Sequence, residues 1–171
     1  MDEIQSRHEH AVGYEFIRWF NAKNGKQFEY DKRPHKAPDL RYVDGKQILN
    51  IEITDAYYDK NDADKKEDAE LQWKTARKEA DAPHGWLGGD FDRTLVSNIS
   101  AGIAKKCRKD YGKDCVLVVA VRPGLTSADE MEQMLSEIKI PDETPFTGIY
   151  LTGDFPWTDS SRGGFRCWPL R

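Results

Sequence analysis

The sequence predicts an α/β fold, a mixed β-sheet flanked by helices on both faces. Three observations carry that expectation. Val12, Phe16, Trp19 and Phe20 repeat at helical spacing, Cys115 to Val121 form an unbroken β-branched apolar run, and Asp39 to Thr54 read as two strands joined by a tight turn. A short, continuously apolar run suits a central strand covered on both faces, which requires helices above and below it.

The first helix is expected over residues 3 to 23, stopped by Asn24-Gly25. Residues 26 to 33 alternate loosely through Phe28 and Tyr30 and lead into Pro34 and Pro38, as an edge strand followed by an extended crossing segment would. Leu40 to Val43, then Asp44-Gly45, then Lys46 to Thr54 form the predicted hairpin, with Asp44 and Gly45 as the two central turn residues.

From Tyr58 to Ala80 the chain is densely charged around Leu71 and Trp73, which reads as a solvated helix. A Gly/Pro-rich connection, Ala82 to Gly89, precedes a long helix whose apolar face is Phe91, Leu95, Val96, Ile99, Ile103 and Cys107. After the central strand, Ser127 to Ile138 read as a capped helix, with Ser127 as N-cap and Glu130 completing a capping box. Thr147 to Thr152 form the last expected strand, and from Phe155 onward the reading is a short aromatic and basic tail.

With 171 residues, the chain suits one domain over 1–171, and so one site. Charged residues make up 33% and hydrophobic ones 38%, enough to build a core and against wholesale disorder. No stretch approaches the roughly 18 apolar residues of a membrane span, so the expectation is a cytoplasmic protein. Cys107, Cys115 and Cys167 are odd in number and widely spaced, which fits reduced structural thiols better than a zinc cluster or a disulfide framework. A net charge of −4 and a pI near 5.6 argue against a protein that coats nucleic acid passively. They argue less against a metal-dependent nuclease, whose site concentrates carboxylates and whose cation reverses the local field. Neither GxxxxGK[ST] nor GxGxxG occurs, which counts against nucleoside triphosphate hydrolysis. His8 and His10 lack the spacing that would let both bind one metal from a helix.

With Asp44-Gly45 at the turn, Leu40 lies opposite Leu49 and Asp39 opposite Asn50. Alternation then puts Ile48, Asn50, Glu52 and Thr54 on one face and Leu49, Ile51 and Ile53 on the other. Asp39 becomes the diagonal neighbour of Glu52, about 7–8 Å away by backbone and within reach of one shared cation. Two such carboxylates with open water positions suit Mg²⁺ or Mn²⁺ and phosphodiester hydrolysis. On spacing alone, a surface Glu52 paired with Arg41 or a lysine is the competing assignment.

Pro38-Asp39, thirteen residues to Glu52, and then Glu52-Ile53-Thr54 resemble the signature of the PD-(D/E)XK, or restriction-endonuclease-like, nucleases. The resemblance covers residues 12 to 54 by motif and extends to about 152 by the order of elements. It implies a restriction-endonuclease-like mixed sheet, with Asp39 and Glu52 as metal ligands, Glu15 in the first helix assisting, and the Ile53 carbonyl completing the site. It implies nucleic acid, DNA first, as partner, and leaves a homodimer open. Thr54 stands where the signature has lysine, and carries no charge to stabilise a transition state. The family tolerates migration of that lysine, which points to Lys74, then Lys78, as the source of charge. Lys32, Arg33 and Lys36 precede Asp39 and, with Lys78, are the candidates for phosphate contact. Lys105, Lys106, Arg108, Lys109 and Lys113 form a second cationic cluster, although cations at a helix C-terminus need no ligand. The alternative function is a non-catalytic binding or immunity-type protein that kept the fold after losing the lysine.

Overall fold

A computed structural model describes residues 3–56, 88–122 and 126–171. The described elements, in order, are α1 (Glu3–Asn24), β1 (Glu29–Lys32), β2 (Leu40–Asp44), β3 (Gln47–Ala56), α2 (Gly88–Lys106), β4 (Cys115–Val121), α3 (Ala128–Met134) with a 3-10 turn at Leu135–Glu137, β5 (Gly148–Phe155) and β6 (Gly164–Pro169). The strands form one six-stranded mixed sheet in sequence order, β1 to β6. Pairing is antiparallel from β1 to β3, parallel from β3 to β5, and antiparallel again between β5 and β6. The helix expected over 58–80 lies outside the described residues, as does most of the Gly/Pro-rich connection.

Two apolar clusters divide the core by strand alternation. One gathers Phe16 and Ile17 of α1 with Leu40, Tyr42, Leu49, Ile51, Ile53, Val116 and Val118. The other gathers Leu95, Ile99 and Ile103 of α2 and Met131 of α3 with Ala56, Leu117, Val119, Val121, Ile149 and Leu151. Neighbouring residues of β4 thus serve different clusters, as a strand period of two dictates. All seven residues of β4 are buried, which is why that run reads as apolar throughout. The approach of α1 to β2 is close because Gly13 has no side chain. A Cβ there would lie 2.3 Å from Leu40 Cδ1.

Three local expectations need correction. The turn of the β2–β3 hairpin is Gly45-Lys46, since Asp44 pairs with Gln47 and Leu40 with Ile51. Gly45 has φ +58 and stands at the first central position, where a type II′ turn requires glycine. Asp44 instead stays in its strand and accepts a hydrogen bond from the Gln27 N–H at 2.9 Å. The register moves by two residues, so every side chain keeps its expected face. The expected tail forms the edge strand β6, which pairs with β5 from Tyr150↔Pro169 to Phe155↔Gly164. Its Trp168 packs edge-on against Phe155, so aromatic content in this segment reflects packing on the sheet. The capped helix ends early: Ser127 and Glu130 form the capping box, but the α-helix stops at Met134 and tightens into the 3-10 turn.

Candidate functional site

β2 is half the length of β3, and that difference creates the site. Its pairing with β3 ends at Leu40↔Ile51. Asn50 directs its N–H to Asp114 on the β4 side, at 2.9 Å. Backbone groups alternate along a strand, so Ile51, Ile53 and Asp55 direct theirs to the β2 side. Beyond Ile51 no β2 residue is left to receive them. Asp39, the residue preceding β2, takes that place: its Oδ2 accepts a hydrogen bond from the Ile53 N–H at 2.8 Å. The Ile53 carbonyl points to the same side.

Extending the register by one residue sets Asp39 directly opposite Glu52, closer than the diagonal relationship expected from sequence. Glu52 is buried, its side chain only 6% exposed, and its Oε1 is 2.5 Å from Nζ of Lys106 at the end of α2. Among the described residues its Oε2 has no hydrogen-bond partner although it is shielded from solvent. A buried carboxylate oxygen without a donor is costly, so this atom is the open valence of the site.

The electrostatics follow from burial and crowding. Burial, then the charge of Glu52, pushes the Asp39 carboxyl up to about 6, against the opposing Ile53 hydrogen bond. Burial, then Glu52 and Asp39, hold the Tyr111 hydroxyl up at about 12, so it remains a donor. That hydroxyl is also buried without a partner among the described residues. The Cys115 thiol is pushed up to about 12 by burial and then by Glu52, which keeps it an inert thiol.

The other acids and cations fall into place around this pair. Glu9 of α1 is the helix acid whose charge reaches Asp39. It is buried and paired with Arg33. Glu15 lies six residues further along the same helix, with its side chain 46% exposed and 3.9 Å from Arg18. Thr54 faces α2, where Gly102 leaves it room. Arg33 and Lys32 line a recess with Pro34, His35, Pro38, Arg41 and Asn50, while Lys36 is exposed. Lys74 and Lys78 lie outside the described residues. Sequence reasoning placed Lys106 in a generic helix-end cluster and passed over Glu9 and Tyr111. Only the apolar setting of Glu9 along α1 hinted at burial.

No family model, curated protein or solved structure matches this chain. The site must therefore be read from its own chemistry.

Among the described residues, no three His, Cys, Asp or Glu side chains converge in a way that would hold a metal ion. Two carboxylates side by side, one with a buried oxygen lacking a partner, are nevertheless a donor set that fits a hard cation which keeps most of its waters. No helix among the described residues is long and apolar enough to cross a membrane.

Proposed function

We propose that this chain is a divalent-metal-dependent nuclease, hydrolysing phosphodiesters of nucleic acid, with DNA the first substrate to test. The single observation that carries the reading is the half-buried Asp39 beside the buried Glu52, whose Oε2 lacks a donor among the described residues. Asp39, Glu52 and the Ile53 carbonyl would hold Mg²⁺ or Mn²⁺, which when bound supplies positive charge for the phosphate and an acidified water.

The chain's own residues supply the rest. The Ile53 N–H fixes Asp39, and Lys106 fixes Glu52 while bringing to the site the positive charge that Thr54 lacks. Lys106 is thus a described source of the charge that the sequence sought from Lys74, a residue outside the described ones. Two apolar clusters on alternate residues of β4, one including α1 and the other α2 and α3, support helices on both faces of the sheet. That sandwich, with an antiparallel β1–β3 meander and a parallel β4, supports a restriction-endonuclease-like fold.

The test is cleavage of labelled single- and double-stranded DNA with Mg²⁺ or Mn²⁺. Asp39→Asn and Glu52→Gln should each lower the rate by about 100-fold or more. Equal cleavage by both variants and the unaltered protein overturns the reading.

One observation favours a second reading, a non-catalytic binding or immunity-type protein. Lys106 already neutralises Glu52, which lets the fold tolerate the buried acid without a metal. Isothermal titration separates the two: binding of Mn²⁺ that is lost in Glu52→Gln supports the nuclease, and its absence supports the binding protein.

A further inference from the structure

Beside the acid pair lies a recess of about 430 Å³, lined by Lys32, Arg33, Pro34, His35, Pro38, Arg41 and Asn50. Among the described residues its lining brings together a lysine, two arginines, a histidine and an amide, with the arginines paired to Glu9 and Asp31 behind it. Its volume sits at the small end of ligand pockets, room for one phosphate with its sugar and too little for a duplex.

Both guanidinium groups are ion-paired with acids that do not line the recess. Arg33 donates to Ser6 Oγ at 3.1 Å and is paired with Glu9. Arg41 forms an ion pair with Asp31, its Nε 3.0 Å from Oδ2 but without the angle of a hydrogen bond. Anchoring of this kind lowers the entropy lost when a planar fork grips an oxyanion. Asn50 donates its Nδ2 to the Lys113 carbonyl at 3.2 Å, which leaves Oδ1 as an acceptor for a hydroxyl or amino group attached to that oxyanion.

The placement relative to the acids gives the recess its meaning. Pro38 immediately precedes Asp39. Arg41 pairs with Asn50 in the register, and Asn50 lies on the face of Glu52, two strand residues or about 7 Å away. That separation is comparable to the spacing of neighbouring phosphates along a nucleic-acid chain. We infer that the recess is a phosphate subsite: it takes one phosphate of a nucleic-acid strand while the neighbouring phosphate lies at Asp39 and Glu52. The inference deepens the nuclease reading and rests on it for the second phosphate, whereas binding in the recess itself needs no metal.

The experiment is fluorescence anisotropy of the full chain with a labelled single-stranded oligonucleotide, in EDTA, across a salt series. Arg41→Gln and Lys32→Gln should each weaken binding about fivefold at low salt and reduce the salt slope by about 0.7, the value for one lost contact to a single strand. Lys46→Gln, at the hairpin turn, is the matched control and should change neither. Lys32 is exposed, so Lys32→Gln keeps the test valid if Arg41→Gln fails to fold. Variants indistinguishable from Lys46→Gln overturn the subsite. If cleavage stays intact in that case, the nuclease reading stands while the subsite falls. Binding that depends on Arg41 and Lys32 in a protein without metal-dependent cleavage supports the subsite and sinks the nuclease reading alone. Tighter binding of a 5′-phosphorylated than of a 5′-hydroxyl oligonucleotide assigns the recess to a chain end, and equal binding assigns it to an internal phosphate.

Discussion

Lys106 and Glu52, 54 residues apart in the chain, meet with Nζ 2.5 Å from Oε1. This contact ties the C-terminal end of α2 to the middle of β3 and supplies the counter-charge that lets an acid sit inside the sheet. Breaking a buried pair from one side leaves an uncompensated charge, which costs more than removing both partners.

Lys106→Met should therefore destabilise the protein by about 2–3 kcal/mol, a value lowered from the fully buried case because the lysine retains some exposure. Lys106→Met combined with Glu52→Gln should recover most of that loss. Urea unfolding of the two single variants and the double variant measures the coupling. Additive losses would show that the pair contributes nothing as a pair.

His8 Nε2 and Asp55 Oδ1 are 2.6 Å apart at the C-terminal end of β3. The Asp55 hydrogen bond raises His8 above its ordinary 6.5, Glu9 adds to it, and burial and Arg122 oppose it. The folded state holds this proton more tightly than the unfolded chain. The pair's stabilisation is thus complete below pH 6.5 and is lost as pH rises through the folded value. NMR titration of the His8 ring should show the raised midpoint, and Asp55→Asn should return it toward 6.5. A midpoint that Asp55→Asn leaves unmoved contradicts this assignment.

Gly13 allows α1 to lie against β2, where an added Cβ would meet Leu40 Cδ1 at 2.3 Å and the Tyr42 hydroxyl at 3.0 Å. Leu40 is fully buried and has little room to yield. Gly13→Val should cost about 2 kcal/mol or more through overpacking, outweighing any gain from removing a helical glycine. Thermal unfolding gives the value, and an unchanged midpoint would argue that α1 packs elsewhere.

The hairpin register makes its own prediction. Gly45 adopts positive φ and Lys46 does not, so Gly45→Ala should cost about 1 kcal/mol while Lys46→Ala stays within about 0.5 kcal/mol. Comparable costs at both positions would point to a turn that needs positive φ at each.

The sequence by itself determined the α/β class, the helix over α1, the central strand β4, the capping box at Ser127 and the faces of β3. Each follows from short-range rules, namely apolar period, capping chemistry and strand alternation, which act within a few residues. The face of Glu52 survived even a misplaced turn, because a register shift of two residues preserves parity.

Only the tertiary structure decided which charges meet. Glu9 rather than Glu15 reaches Asp39, because α1 turns that side toward the sheet edge where β2 ends. Lys106 reaches Glu52 through a crossover helix whose end is fixed by packing of Leu95, Ile99 and Ile103. The segment after Phe155 became a strand because β5 offered it an unpaired edge, a partner that local composition does not encode. Long-range contacts depend on how whole elements pack, and a polar side chain carries no local mark of the neighbour it will find.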